Sequence, residues 1–383
     1  MNFYYGRQYI DNLDIKSINK VLKNEYLTQG PKVKEFESSI TNFFKCKYAA
    51  VLSSGTASLH LIATALNWQR GDVIITTPNT FVATANAIEH VGARTDFADI
   101  EREFYTIDPS KLEFKIKKNY SNNKKSIIKA VIGVDYAGNP CDWESLSYLS
   151  KKYNFQLIND NCHAIGSKYK NLINYASKYA LASSHSYHPV KNITTGEGGC
   201  VLTNNKKLYK KIISLRSHGV IKGAYWKNDM KALGFNYRMT DLQCALGISQ
   251  LKKLDIFLSK RRKIADLYFK NFKNCPNIIL PKIRKNSEHS FHLFPVLLNL
   301  KNINKELIFK KLEKKNICLQ VHYKPVHLHT YYKKKYKFNH NDYPVAEDFY
   351  KREISMPIYY NLSEKNINYI SNVFLEILNK NAK

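Results

Sequence analysis

A run of small and hydroxyl-bearing side chains at positions 53–60 is suited to holding a phosphate group. It follows a short apolar stretch and opens a helical pattern, with Gly55 and Thr56 in its first turn. Backbone N–H groups at a helix N-terminus attract a dianion, and a glycine there permits its close approach. An ordinary Ser/Thr helix cap explains the same run, and taken alone the run favours that simpler interpretation.

Asp160 lies at the end of a predicted strand and is followed three residues later by His163. Ligands of open α/β sheets bind at the carboxyl ends of the strands. A carboxylate at that edge can keep a pyridine nitrogen protonated and make the ring a better electron sink, as pyridoxal phosphate requires. The alternatives are a capping aspartate and a hydrogen-bonded histidine without a chemical role.

Lys191 lies in a predicted loop between two strands, ahead of the pair Gly198-Gly199. An amine delivered there can form a Schiff base with an aldehyde. Because the chain has 60 lysines and arginines, a single lysine is most simply a solvated surface residue. The order of a phosphate-binding run, a strand-end aspartate and a loop lysine is what favours a shared cofactor site.

Short apolar runs alternate with helical patterns through much of the chain, which predicts a parallel sheet with crossover helices. A helix is predicted from Pro31 to about Phe44, since apolar side chains recur there at helical spacing. One long helix is predicted from about Met239 through Leu254. The predicted strands are residues 48–52, 73–77, 127–136, 155–159, 180–187 and 199–203.

The length of 383 residues suggests two lobes. The change in pattern puts the boundary near residue 255, which gives a large α/β domain at 1–255 and a smaller α+β domain at 256–383. Strands of the smaller domain are predicted at residues 292–300, 317–322 and 354–357.

The formal net charge of +29 invites comparison with nucleic-acid-binding proteins. The lysines are nevertheless spread along the whole chain, and clusters such as Lys333-Lys334-Lys335 and Lys124-Lys125 fall in predicted loops. This distribution indicates a solvated surface, and no recognisable nucleic-acid module accompanies it. A positive field would help instead to gather an anionic substrate.

Other features of the sequence argue against export, membrane insertion and metal binding. No apolar run reaches the roughly 18 residues of a membrane span, and the N-terminus lacks a basic start followed by an apolar stretch. The cysteines are far apart, with no CxxC pair and no metal-ligand spacing. We therefore expect a cytoplasmic protein without disulfides, a metal ion or a membrane anchor.

Taken in order, these segments resemble the sugar aminotransferases of the DegT/DnrJ/EryC1/StrS family, which have the fold-type-I aspartate aminotransferase architecture. The resemblance covers nearly the whole chain. Histidine replaces the cofactor lysine in the dehydratases of this family, so Lys191 favours an aminotransferase. The segments that carry the resemblance are LTQGP at 27–31, SGT at 54–56, TPNTFVAT at 77–84, DNCHAIG at 160–166, SHSYHPVKNITTGEGG at 184–199 and GFNYRMTD at 234–241.

The resemblance implies a pyridoxal phosphate site. By position, Lys191 carries the cofactor, Asp160 lies on its ring nitrogen and Phe81 stacks on its ring. The residues implied to hold its phosphate are Gly55, Thr56 and Ser186.

The aspartate motif departs from that of many relatives, which have an acidic residue before the aspartate and small residues after it. Here these positions are Asn159, Asn161 and Cys162. Asp160 and His163 are kept, so both remain, with Lys191, the implied catalytic residues.

The resemblance also implies an obligate homodimer with shared sites. Asn236 and Arg238 resemble residues that reach the cofactor of the neighbouring subunit. The candidate substrate contacts are Thr28 and Gln29 at the sugar-nucleotide entrance, and His322 and Tyr323 from the small lobe. Turn formation and strand packing are the structural alternatives for these four.

Further segments resemble the branch of the family that serves pseudaminic acid biosynthesis. This branch implies transamination of a UDP-linked 4-keto-6-deoxy sugar, UDP-2-acetamido-2,6-dideoxy-L-arabino-4-hexulose, with glutamate as the amino donor. A different nucleotide keto sugar, of the perosamine or 3-keto type, and a non-catalytic regulator with this fold are the alternatives. The segments are VDYAG at 134–138, LRSHG at 215–219, QVHYKP at 320–325 and AEDFY at 346–350.

Overall fold

The structure, a computed structural model, describes residues 2–23, 26–121, 127–221 and 223–381. The Lys124-Lys125 cluster lies outside these residues. The strands are β1 Phe3–Tyr4, β2 Tyr48–Leu52, β3 Asp72–Thr76, β4 Arg94–Phe97, β5 Ile127–Val134, β6 Gln156–Asp160, β7 Lys168–Tyr169, β8 Ala182–Ser186, β9 Gly199–Thr203, β10 Val220–Ile221, β11 Asp229–Met230, β12 Ile278–Ile279, β13 Ser287–Glu288, β14 Phe294–Leu298, β15 Ile317–Cys318 and β16 Glu353–Met356.

The helices lie between these strands and at the end of the chain. Two 3₁₀ turns accompany them, Tyr136–Gly138 and Val326–Leu328. The helices are α1 Asn12–Leu22, α2 Pro31–Phe44, α3 Gly55–Ala65, α4 Val82–His90, α5 Pro109–Ser121, α6 Trp143–Tyr153, α7 Tyr175–Tyr179, α8 Lys206–Arg216, α9 Asp241–Leu251, α10 Leu254–Phe272, α11 Lys305–Glu313, α12 Thr330–Tyr336, α13 Pro344–Arg352 and α14 Glu364–Asn381.

A seven-stranded sheet in the order β2-β9-β8-β6-β5-β3-β4 forms the centre of the molecule. The five strands from β8 to β4 pair in parallel, whereas β9 is antiparallel to both of its neighbours. Every residue of β3 and β9 is buried, as expected for a sheet with helices on both faces. The prediction of an α/β fold with a mostly parallel sheet is confirmed.

The predicted strands of this sheet differ from the observed ones mainly at their ends. Residues 48–52 and 199–203 agree, whereas the strand predicted at 127–136 ends at Val134. The chain turns there because Ala137 adopts a left-handed conformation, with φ of 59°. The sequence analysis missed β4, whose four residues include the exposed Arg94 and so lack an apolar pattern.

The single long helix predicted from Met239 to Leu254 is wrong, because the chain forms α9 and α10 instead. Thr240 caps α9, where its side chain accepts a hydrogen bond from the Gln243 backbone N–H. The periodicity continues across the break because both helices bury apolar side chains in one cluster, which includes Leu251 and Leu254.

A second, antiparallel sheet in the order β12-β14-β16 packs with α10, α11 and α14 around its own apolar core. Helix α10 contributes to two cores, with Phe257 in one and Tyr268 in the other. Strand β1 pairs in parallel with β15 from the C-terminal part of the chain, with Phe3 opposite Ile317. The domain boundary near residue 255 remains a prediction.

One of the lysine clusters expected in a loop lies in a helix. The Lys333-Lys334-Lys335 cluster, which the sequence analysis put in a loop, lies in α12, where Lys335 pairs with Glu89. Its three consecutive lysines obscure a helical pattern that the flanking Tyr332 and Tyr336 complete. Over the described ranges, no helix is long and apolar enough to cross a membrane.

Candidate active site

A cavity of about 410 Å³ opens at the carboxyl ends of β5, β6 and β8, a size within the range typical of small-molecule sites. The large sheet contributes strand-end residues, and the C-terminal part of the chain closes one side with His292, His322 and Tyr323. Nine of the thirteen predicted site residues line this cavity: Gly55, Thr56, Phe81, Asp160, His163, Ser186, Lys191, His322 and Tyr323.

The floor of the cavity is the N-terminus of α3. Ser54 caps this helix by accepting a hydrogen bond from the Ala57 backbone N–H at 3.0 Å, so the capping role offered as the alternative is present. A Cβ on Gly55 would lie 2.8 Å from the Ser186 Cβ. Glycine is therefore what lets the Ser186 strand end approach the helix N-terminus, where the helix dipole favours an anion.

The Asp160 carboxylate is held in one orientation by neighbouring donors. Thr84 donates from its hydroxyl to Asp160 Oδ2 at 2.7 Å, and the Cys162 backbone N–H donates to Oδ1 at 3.1 Å. Thr80 extends the chain of hydroxyls, with its Oγ1 2.7 Å from that of Thr84. Thr84 lies in a segment that supported the family resemblance, but its role was not predicted because only the folded chain brings α4 against β6.

Asp135 explains the unusual residues around Asp160. Its carboxylate oxygen Oδ2 accepts from the side-chain amides of Asn159 and Asn161, at 3.0 and 2.8 Å, and from the Tyr175 hydroxyl at 2.8 Å. Burial raises the pKa of the Asp135 carboxyl. The two asparagines are therefore held by Asp135 and do not line the cavity. Of residues 159–161, only Asp160 does.

Lys191 projects into the cavity with an amine that is easily deprotonated. Burial lowers the pKa of the Lys191 ammonium to about 8, an effect partly opposed by Cys162 and Asp160. A substantial fraction of the amine is thus neutral near physiological pH, as a nucleophile or base requires. Its Nζ lies 3.4 Å from Nε2 of His292, a residue from the C-terminal part that the sequence analysis missed.

His163 and His292 lie beside the lysine as neutral rings. Burial, and next the positive charge of Lys191, lower the pKa of both imidazoles well below its usual value. The Ala137 backbone N–H donates to His163 Nδ1 at 3.3 Å, so the ring proton lies on Nε2, 3.0 Å from the Tyr323 hydroxyl oxygen. His163 therefore positions Tyr323.

Phe81 lies at the mouth of the cavity with an unusually exposed ring. The residue is 54% exposed, and its ring centroid is 5.8 Å from that of Tyr323. An aromatic face left open at the mouth of a cavity is suited to stacking on a planar ligand.

Four predicted residues lie elsewhere, in two segments that pack together. Thr28 pairs with Thr240, and the Asp241 backbone N–H donates to Leu27 O at 2.9 Å. A second cavity of about 540 Å³ lies beside this junction. Gln29 and Arg238 line that cavity, while Asn236 pairs with Ser217. Within one chain, these four residues therefore do not share the cavity of Lys191.

The sequence profile of the DegT/DnrJ/EryC1/StrS aminotransferase family matches residues 8–374. The chain belongs to this family. It is 43% identical to the UDP-4-amino-4,6-dideoxy-N-acetyl-β-L-altrosamine transaminase of Campylobacter jejuni over 380 residues, which cover 99% of this chain and 98% of that one. The family resemblance inferred from the sequence is thus confirmed, and with it the assignment as an aminotransferase.

Solved structures of family members agree with this fold. Helicobacter pylori PseC, described as an aminotransferase involved in the biosynthesis of pseudaminic acid, superposes with a TM-score of 0.92 at 35% identity, over 99% of this chain and 100% of that one. The putative sugar aminotransferase Spr1654 of Streptococcus pneumoniae, in its PLP form, gives 0.90 at 29% identity and 99% coverage of both chains. The predicted fold-type-I architecture is therefore confirmed.

Proposed function

We propose that the chain transfers an amino group from glutamate to C4 of a UDP-linked 4-keto-6-deoxy-N-acetyl sugar, using pyridoxal phosphate bound in the Lys191 cavity. The observation that carries this proposal is the Lys191 amine, whose burial lowers its pKa to about 8, in one cavity with the Asp160 carboxylate. Transamination needs an amine that can act as nucleophile and base at the reacting carbon. It also needs a carboxylate at the ring nitrogen on the opposite side of the cofactor.

The residues of the cavity fit pyridoxal phosphate. Gly55 and Thr56, at the N-terminus of α3, and the Ser186 hydroxyl would hold the phosphate. Asp160 would hold a proton on the ring nitrogen, because Thr84 and the Cys162 backbone N–H keep both carboxylate oxygens aimed. The open face of Phe81 would stack on the ring.

Proton movement at the reacting carbon falls to Lys191. When bound, pyridoxal phosphate supplies an electron sink that spreads the negative charge developing on the carbon beside the amino group. The free Lys191 amine would take the proton from that carbon of the amino donor and deliver it to the cofactor carbon that received the amino group. With the keto sugar it would move a proton the opposite way, from the cofactor carbon to C4 of the sugar, and such a positioned transfer is typically worth about 10²- to 10⁴-fold in rate. His163 and His292 remain neutral and do not compete with Lys191 for this proton.

The substrate proposal is supported by similarity to a transaminase named for a UDP-4-amino-4,6-dideoxy sugar. The sugar of this chain is inferred from that likeness. An anionic nucleotide also suits a chain with a formal net charge of +29.

We also propose that two copies of the chain share their sites. Thr28, Gln29, Asn236 and Arg238 would then act on the neighbouring subunit. Their grouping outside the Lys191 cavity supports this, as do exposed apolar side chains nearby, at Tyr26 and on α1.

An absorbance experiment tests the proposal. Purified protein is loaded with pyridoxal phosphate and titrated first with glutamate and then with the UDP-4-keto-6-deoxy-N-acetyl sugar, with mass spectrometry of the sugar product. We expect the visible band of the loaded enzyme to disappear with glutamate and return with the sugar, together with a new amino sugar. Lys191→Ala should bind cofactor but show no such cycle.

Each other outcome has a distinct meaning. If glutamate bleaches the band but only another nucleotide keto sugar restores it, the substrate proposal fails while the reaction class stands. If no lysine-dependent band forms, the assignment of Lys191 as the cofactor lysine is wrong.

A further inference from the structure

A chain of hydrogen bonds runs behind the cavity wall to His322. The Glu353 carboxyl oxygen Oε1 lies 2.5 Å from the Ser355 hydroxyl, which lies 2.8 Å from Nδ1 of the His322 ring. The other oxygen, Oε2, accepts from the His322 backbone N–H at 2.8 Å. Glu353 and Ser355 are fully buried, so the chain is closed to water.

The protons along this chain can point in only two directions. An ionised Glu353 would accept from Ser355, which would accept from Nδ1–H of His322 and leave Nε2 without a proton. An un-ionised Glu353 would donate from Oε1, because Oε2 already accepts the backbone N–H. Ser355 would then donate to Nδ1, and the His322 proton would lie on Nε2. The charge state of Glu353 therefore determines the tautomer of His322.

The surroundings of Glu353 favour its un-ionised form. Among the described residues, no lysine or arginine forms an ion pair with its carboxylate. Lys305, the nearest cation on α11, donates instead to the backbone carbonyls of Tyr350 and Glu353, at 2.5 and 3.0 Å. Burial raises the pKa of the Glu353 carboxyl, and the hydrogen bonds with Ser355 and the His322 backbone N–H and the charge of Lys305 oppose this only in part. Without a cation on the carboxylate, the neutral acid is the less costly buried state.

His322 has only one ring nitrogen left for the cavity. The residue lines the cavity, and its ring lies between those of Tyr5 and Tyr323, with centroids 4.7 and 4.9 Å away. Since Ser355 takes Nδ1, the remaining polar atom is Nε2. The hydroxyl oxygen of its neighbour Tyr323 accepts a hydrogen bond from Nε2–H of His163, so the Tyr323 O–H is free to donate to a ligand.

We propose that Glu353 acts through Ser355 as a positioning residue, which holds His322 in the tautomer that presents Nε2–H to the cavity. His322 and Tyr323 then form a pair of neutral donors for one substrate oxygen, a carbonyl of the keto sugar or a carboxylate of the amino donor. This role in substrate binding rests on the proposed function. The tautomer itself does not, since it is a property of the cofactor-free chain.

The tautomer can be measured directly by NMR of cofactor-free protein labelled with ¹⁵N-histidine. Protonated and unprotonated nitrogens of a neutral imidazole have well separated ¹⁵N shifts, and His322→Gln identifies the signals of residue 322. We expect the wild-type ring to carry its proton on Nε2. A proton on Nδ1 would overturn the proposal, whether or not the protein proves to be a sugar aminotransferase.

Glu353→Gln is the discriminating variant. The Gln side chain can accept the His322 backbone N–H with its oxygen and donate to Ser355 with its amide, as the un-ionised acid does. We therefore expect the His322 tautomer and the KM values to stay close to wild type. If Glu353 is ionised in the wild type, Glu353→Gln must reverse the direction of these hydrogen bonds. A switch of the His322 tautomer in this variant would therefore contradict our inference.

Ser355→Ala cuts the chain, and Ser355→Thr is its matched control because it keeps the hydroxyl. We expect Ser355→Ala to lose the single tautomer and to raise KM about 5- to 10-fold for one of the two substrates. The half-reactions, measured separately with glutamate and with the keto sugar, show which oxygen the pair binds. If the tautomer is lost but neither KM changes, the donor role of His322 is wrong.

Discussion

At the scale of single residues, Lys191 combines its chemical role with a cost to stability. Burial lowers the pKa of its ammonium from 10.5 to about 8. At about 1.4 kcal/mol for each pH unit, the folded chain is destabilised by ~3 kcal/mol while the amine is protonated in both states. This destabilisation is fully present below pH 8. It disappears as the pH rises from 8 towards the pKa of the lysine in the unfolded chain.

Lys191→Met should therefore stabilise the cofactor-free protein. We expect a free energy of unfolding up to ~3 kcal/mol higher than wild type at pH 7, with the difference vanishing towards pH 10. Denaturant unfolding at several pH values measures it. Lys168→Met, at an exposed lysine paired with Glu288, should change stability little and is the control. A Lys191→Met protein no more stable than wild type at pH 7 would contradict this expectation.

The Asp160 carboxylate depends on a threonine that has no chemistry of its own. Thr84→Val keeps the shape of the buried side chain but removes the hydroxyl that donates to Oδ2 at 2.7 Å. Loss of one hydrogen bond to a charged group should weaken pyridoxal phosphate binding by about 10-fold, as measured by absorbance titration. Thr76→Val, which removes a buried hydroxyl from the sheet, should leave cofactor affinity unchanged. Equal effects of the two variants would show that stability, not Asp160, is responsible.

At the scale of elements, β9 packs directly against the turn between β2 and α3, which forms the proposed phosphate site. A Cβ on Gly199 would lie 2.3 Å from the Ser54 backbone oxygen and 2.6 Å from the Gly55 nitrogen. Main-chain atoms cannot move aside as a flexible side chain can. A side chain at position 199 would therefore force the turn itself to shift. The antiparallel strand β9 thus shapes a site on parallel strands.

Gly199→Ala should consequently lower both stability and cofactor affinity. We expect ~1–3 kcal/mol of destabilisation from overpacking and weaker binding of pyridoxal phosphate. Gly92→Ala is the control, because its cost comes from a backbone φ of +78° in a turn with no atom closer than 3.9 Å. That variant should lose stability but keep cofactor affinity. If Gly199→Ala binds the cofactor as wild type does, the cradle tolerates the shift.

The element predictions from sequence succeeded where local pattern and tertiary burial agree. Strands β2 and β9 are largely apolar and were predicted to the residue. Helix α9 was merged with α10 because one apolar stripe serves both, and β4 was missed because its burial comes from neighbours rather than from its own sequence. Periodicity reports which face is buried and says little about where a helix breaks.

At the scale of the whole molecule, a shared-site dimer makes a prediction about mixed subunits. A Lys191→Ala chain lacks the proposed cofactor lysine, and an Arg238→Ala chain lacks a residue proposed to act on its neighbour. A hybrid of the two has one intact site, so an equal mixture exchanged between dimers should regain about a quarter of wild-type activity. Each variant alone should be nearly inactive. No recovery after confirmed exchange would mean that Arg238 serves its own subunit.

The sequence by itself determined the family, the fold class and the identity of the residues that line the cavity floor. Those residues belong to short continuous motifs such as Ser54–Thr56 and the aspartate motif, where local chain geometry delivers each side chain to a strand end or a helix N-terminus. A motif of this kind can be recognised from the sequence because residues that are neighbours in sequence are also neighbours in space.

Only the tertiary structure decided which distant residues act on these motifs. Thr84 meets Asp160 across 76 positions, His292 meets Lys191 across 101, and Glu353 in β16 meets His322 across 31. Such contacts arise from the packing of whole elements, and burial then sets the pKa of Lys191 and Glu353. Neither effect leaves a local signal in the chain, because both depend on what the fold removes from water.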